Sequence, residues 1–232
     1  MLLILLIASA LAKQLVGLIS NDLPDSFDSR SAWPDAILPV RDKGGCSADW
    51  AFAVVDVLGD ALGIKGCSQG YLSAQQLLSC DSVDQGCTSG TTRTALNYLF
   101  TTKGIATEKC IPYISGSGRV PACSAQCSDK TEVVHHKVSN ITLFSGTEEQ
   151  IRADIMQYGP ATMSFDGYED FLSYKSGVYK HRSGKAVGTV SVIVIGWGIE
   201  NGEPYWFCQN ALGKSWGEQV YYFYYYFSFN LL

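Results

Sequence analysis

Along the first half of the chain, apolar residues recur at helical spacing. From Trp50 to Gly63 the sequence reads WAFAVVDVLGDALG, apolar nearly all round apart from Asp56 and Asp60 at i, i+4. This pattern predicts a buried helix ending near Gly63. Ser73-Ala74-Gln75-Gln76 has capping-box spacing and opens a second, short helix, and Thr94 to Phe100 forms a third before Gly104. Thr147-Glu148-Glu149-Gln150 caps one more, which stops at Gly159-Pro160. Beyond it the pattern becomes that of strands, over 161–165, 176–179, 187–195 and 204–209. Between 109 and 130, Gly, Ser, Pro and Cys replace the periodic apolar residues, so this stretch reads as a disulfide-stapled loop at a boundary between a helical half and a β half. The aromatic run at 221–227 reads either as a very apolar last strand or as a sticky exposed edge.

With 232 residues and 47% hydrophobic content, the chain can bury the core of one large or two small domains. The net charge of -5 comes from scattered acids, which disfavours nucleic acid and anionic lipid as partners. Residues 1–12, MLLILLIASALA, end on a small-x-small pattern and read as a secretory signal cleaved after Ala12, with an uncleaved anchor as the alternative. No membrane contact is expected once the signal is removed. Eight cysteines fit an oxidising compartment. Metal binding is the other use of clustered cysteine, but His135, His136 and His181 are not interleaved with them at ligand spacing. No metal and no cofactor are therefore expected, and the three histidines read as surface or turn residues. Asn140-Ile141-Thr142 is a glycosylation sequon.

Several longer strings point to one family. Leu23-Pro24-Asp25-Ser26-Phe27-Asp28-Ser29-Arg30 resembles the mature start of cathepsin B-like peptidases, and the segment from Arg41 to Phe52 resembles their nucleophile segment. Tyr174-Lys175-Ser176-Gly177-Val178-Tyr179, the Gly196-Trp197-Gly198 run to Gly202, and Pro204-Tyr205-Trp206 extend the resemblance, which covers about Leu23 to Gly217. The chain is thereby similar to the papain-type cysteine peptidases, cathepsin B branch. The resemblance implies an α+β, two-lobed fold over 23–232, with a helical left lobe at about 41–128, a β-rich right lobe at about 129–232, and a cleft between them. Residues 13–22 would stand as a short segment in place of a full prosegment. The span from Pro112 to Cys123 is too short for the occluding loop of cathepsin B.

The family's nucleophile motif is Cys-Gly-Ser-Cys-Trp, in which the helix dipole and a paired imidazolium keep the second sulfur as thiolate. Here the second position is Asp49, expected to act as a helix-capping acid, a role worth roughly 0.3–1 kcal/mol. The histidine position falls on Val190. The separation, 190 − 49 = 141 residues, lies inside the roughly 130–150 expected between nucleophile and base, but valine cannot accept a proton. Asn210 matches the asparagine that orients the histidine. Lys43 replaces the glutamine that donates to the oxyanion, and an ion pair between Lys43 and Asp49 is expected, the alternative being that both face water. By position, Ser89 and Gly90 line the substrate backbone and Trp216 forms an aromatic wall beside Asn210. Matched cysteines imply the pairs Cys46–Cys87, Cys80–Cys123 and Cys110–Cys127, leaving Cys67 and Cys208 without family partners. The functional expectation is a monomeric, secreted or lysosomal (vacuolar) non-catalytic homologue that binds peptides or peptidase inhibitors in its cleft. An active cysteine endopeptidase and a purely structural secreted domain are the alternatives.

Overall fold

A computed structural model describes residues 23–102, 104–137 and 147–218, with the backbone alone at 221–225 and 230–231. The signal segment 1–12, the segment 13–22 and the Asn140 sequon lie outside the described residues. In chain order the elements are β1 (Phe27–Asp28), α1 (Ser29–Ala32), α2 (Asp49–Ile64), α3 (Ala74–Cys80), α4 (Thr92–Thr101), α5 (Glu148–Tyr158), β2 (Ala161–Tyr168), α6 (Glu169–Leu172), β3 (Val178–Tyr179), β4 (Ala186–Glu200), β5 (Glu203–Gln209), β6 (Tyr221–Tyr225) and β7 (Asn230–Leu231). The class is α+β, helices first and an antiparallel-dominated sheet after.

The three longer helices that follow α2 open on hydroxyl caps, of which Ser73 and Thr147 were marked in the sequence and Thr91, which starts α4 ahead of the expected Thr94, was not. Ser73, Thr91 and Thr147 each accept a hydrogen bond from the backbone N–H three residues on, satisfying an otherwise orphaned donor. Helix α2 differs. Its N-cap is Ala48, which offers no side-chain bond, and it is held by the apolar residues buried around it. In the sheet the strand order is β3-β6-β5-β4-β2-β7, with β1 added to β4. Strand β4 is the axis: it pairs antiparallel with β1, β2 and β5. The expected strand at 176–179 shrinks to Val178–Tyr179, since Gly177 turns at φ +79, while β2 and β4 run longer than the sequence predicted. Of the aromatic run, 221–225 forms β6 against β5 and parallel to β3; 226–227 lie outside the described residues.

Two cores result. Trp50, Phe52, Leu72, Leu77, Leu99 and Ile105 fill the left lobe; Phe171, Met163, Val192, Val194, Trp197 and Trp206 fill the right. Strand parity divides β4 between two duties. Val192 and Val194 face the right-lobe core, whereas Ile193 and Ile195 meet Ala53 of α2 and Phe207 of β5 in a third cluster that seals the seam between lobes. Disulfides Cys46–Cys87, Cys80–Cys123 and Cys110–Cys127 staple the left lobe; Cys67 is exposed and Cys208 buried, and the two are not joined to each other.

Candidate active-site cleft

The segment before α2 is fastened to both lobes. Lys43 N–H donates to the Ala211 carbonyl at 3.0 Å, Asp42 bridges Leu212, and the Tyr113 hydroxyl donates to the Lys43 carbonyl at 2.6 Å. Cys46 is tied to Cys87, and Ser47 N–H reaches the Cys87 carbonyl at 3.1 Å. These contacts leave Asp49 at the first position of α2, facing the right lobe.

Asp49 does not cap its helix through its side chain. Its Oδ2 accepts the backbone N–H of Ser191 at 2.7 Å, across a sequence separation of 142. The two lobes are joined at Asp49 by a carboxylate-to-amide bond. Burial raises the Asp49 pKa above the ordinary carboxylate value, against the opposing pull of the Ser191 N–H and, through space, of the Lys43 charge. The expected Lys43–Asp49 ion pair is corrected. The Lys43 ammonium donates to the Cys46 carbonyl at 3.1 Å, a bond three residues away along its own loop, and it forms no ion pair among the described residues. A carbonyl within reach on the same turn costs less side-chain ordering than a bridge to Asp49.

Val190 shares the parity of Val192 and Val194 and packs against the right-lobe core, close to Gly167, where an added Cβ would come 2.5 Å from the Val190 methyl. The neighbour on the other face is Ser191, which is buried and pairs its hydroxyl with that of Ser164 at 3.0 Å. Asn210 is 4% exposed; its Oδ1 accepts the Ala211 N–H at 2.6 Å, while its buried Nδ2 has no partner among the described residues. Asp49, Phe52, Asp56, Ser191, Gln209 and Asn210 line a crevice of about 10 Å³, room for about one water molecule.

On the left wall, Gly90 lies flat on the Trp50 indole: a Cβ there would stand 2.7 Å from Nε1. Ser89 is exposed beside it, and its carbonyl accepts the Gln85 N–H at 2.8 Å. Trp216 is buried against Phe171 and Tyr174, ring centroids 4.9 and 5.5 Å away, and its indole N–H donates to the Leu172 carbonyl. None of the three histidines touches Asp49. His181 hydrogen-bonds Asp170 and stacks on Tyr168, and His136 lies on an isolated bridge to Ile105.

Sequence reasoning marked Asp56 and Asp60 as breaks in an apolar helix without giving them a role. Asp56 pairs with Arg41, which also reaches Glu108 at 3.1 Å and lies over the Phe52 and Tyr71 rings. Burial pushes Asp56 up to about 6 against the Arg41 charge. Asp60 accepts the Leu38 N–H at 2.7 Å; burial, with the Asp56 charge adding to it, pushes its pKa up to about 8. Gln209 of β5 donates to the Leu38 carbonyl, so this strap residue is held from both lobes. Two acids on one face of a buried helix were the available signal. Ser191, by contrast, acts through its backbone and leaves no mark in the sequence.

Comparison with known proteins agrees with this architecture. The family model for papain family cysteine proteases matches residues 23–227. A cathepsin B-like cysteine proteinase of Schistosoma japonicum is 35% identical, over 87% of this chain and 68% of its own length. A gut-specific cysteine proteinase of Caenorhabditis elegans is 36% identical, over 84% and 67%. The solved structure of procathepsin B from Trypanosoma congolense superposes with a TM-score of 0.83 at 34% identity, covering 89% of this chain and 73% of that one. A helix opening at Asp49, the β4 axis facing it and the match over 23–227 have one explanation: the chain belongs to the papain family of cysteine proteases, as a cathepsin B-like homologue.

Proposed function

We propose that this chain is a non-catalytic member of its family that binds peptide segments or peptidase inhibitors in the cleft between its lobes. The observation that carries the reading is the Asp49 carboxylate bound to Ser191 N–H. Peptide hydrolysis on this scaffold needs a thiolate and an imidazole that takes and returns the proton. A carboxylate at that point is a weak nucleophile, here engaged as an acceptor, and Val190 offers no base. Clefts between lobes bind ligands without chemistry, and the hydrogen-bonded turn at 85–90 leaves Ser89 exposed to a peptide chain. The relatives named as cysteine proteinases supply the ligand class, polypeptide. The three disulfides suit a secreted or lysosome-like compartment, and a monomer suffices for this role.

The test exposes purified protein to a thiol-directed active-site probe and a fluorogenic dipeptide substrate, beside the double change Asp49→Cys with Val190→His. The unmodified protein is expected to show no labelling and no turnover while binding a protein inhibitor of papain-type peptidases by calorimetry. Ser89→Arg, at an exposed wall position, should weaken that binding. Turnover by the unmodified chain, blocked by a cysteine-directed reagent, would overturn the proposal. So would inhibitor binding that Ser89→Arg leaves untouched.

A further inference from the structure

A second hollow lies in the left lobe, among the segments that disulfides Cys80–Cys123 and Cys110–Cys127 hold together. Its volume is about 230 Å³, and it shares no lining residue with the crevice at Asp49. Helix α3 contributes Gln75 and Gln76, whose amides are already spent inside the protein. Gln75 Oε1 accepts the Ile114 N–H at 2.9 Å and its Nε2 donates to Ser79 at 3.0 Å; Gln76 Oε1 accepts the Ala106 N–H at 2.8 Å and its Nε2 donates to the Gly104 carbonyl at 3.4 Å. That wall therefore asks for no polar partner. Across from it stand Ile111, Pro112 and Ile114 of one segment and Pro121 and Ala122 of another, with Ile114 left 64% exposed at the rim. Besides the disulfides, Ser128 N–H donates to the Cys110 carbonyl at 2.8 Å and Cys127 N–H to the Thr131 carbonyl at 3.0 Å, so the hollow is formed before any ligand arrives.

Charge decides what such a hollow can hold. Among the described residues Lys130 is the single charged side chain in its lining, and it forms no ion pair. The neighbouring acid, Asp129, gives its Oδ1 to the Thr131 N–H and hydroxyl; with Lys109 and Glu132 it lines a separate cavity of about 200 Å³ that also touches Cys110 and Cys127. An apolar ligand body gains from the Ile, Pro and Ala walls, and one negative end gains from Lys130. A polar body would lose its water there without finding partners. We propose that this hollow binds a small organic acid, an aromatic or short aliphatic body on the apolar walls with its one carboxylate set at Lys130. The site lies outside the cleft and holds whether or not the cleft takes a peptide.

The probe is phenylpropionate, with phenylpropionamide as its uncharged twin, titrated into the full chain and followed by amide-resolved NMR. Phenylpropionate should give saturable shifts at the Ile114, Ala122 and Lys130 amides, with a Kd on the order of a millimolar for a ligand of so few atoms. The amide should bind about fivefold more weakly, the loss of one partly exposed ion pair. Lys130→Gln should erase that difference and Lys130→Arg keep it. Ala122→Phe, at an exposed position, fills the hollow and should block both ligands. No shift at those amides with ligand well above a millimolar would overturn the site. Equal binding of acid and amide, or a preference for the acid that survives Lys130→Gln, would overturn the carboxylate assignment. Saturable shifts centred on Gly90 and Ser191 instead would move the binding to the cleft and overturn the proposal as well.

Discussion

Asp60 offers the most direct test of how burial governs this fold. Its carboxyl is fully buried, is tied to the Leu38 N–H, and has a pKa pushed up from 3.8 to about 8. Between those values the folded chain keeps a proton that the unfolded chain has released. Stability therefore falls as pH rises, by up to ~1.4 kcal/mol per pH unit from this residue alone. Asp60→Asn keeps the acceptor for Leu38 and carries no titrating proton. The difference in unfolding free energy between variant and unmodified protein, from urea titrations with disulfides intact, should shift in the variant's favour by about 4 kcal/mol across three pH units, from mildly acid to mildly alkaline. Asp56, pushed up to about 6, contributes to both proteins and largely cancels in the difference. A difference that stays flat with pH would show that Asp60 is already ionised in the folded state, and the account of the buried acids of α2 would fail.

Two further outcomes are expected. Asp49→Ala leaves the buried Ser191 N–H without its acceptor and should cost about 1–3 kcal/mol, with faster exchange at the Ser191 amide, whereas Asp49→Asn should retain most of both; equal losses in the two variants would contradict the bond. Gly90→Ala drives a methyl into the Trp50 indole and should destabilise by about 1–3 kcal/mol with a changed Trp near-ultraviolet signal; an unaltered melting temperature would argue against the close packing of that wall.

Much of the fold was legible because its signals are local. The hydroxyls of Ser73 and Thr147 mark helix starts through a bond three residues long, and the apolar run from Trp50 marks a helix buried on most sides. The cleft was legible only in part. The motifs put Asp49 and Val190 where the family pattern leads one to expect a cysteine and a histidine, but what Asp49 does depends on a backbone amide 142 residues away. The Lys43–Asp49 pair failed for a related reason: opposite charge and spacing do not say which acceptor is nearer, and the Cys46 carbonyl sits on the same loop.

Helix α2 belongs to two neighbourhoods at once, with Trp50 and Phe52 on one side and Ala53 against Ile193, Ile195 and Phe207 on the other. A rod shared in this way couples the halves during denaturation: melting either one strips packing from the other. The chain should accordingly lose its structure in a single calorimetric peak, and neither half expressed alone would retain a complete apolar interior.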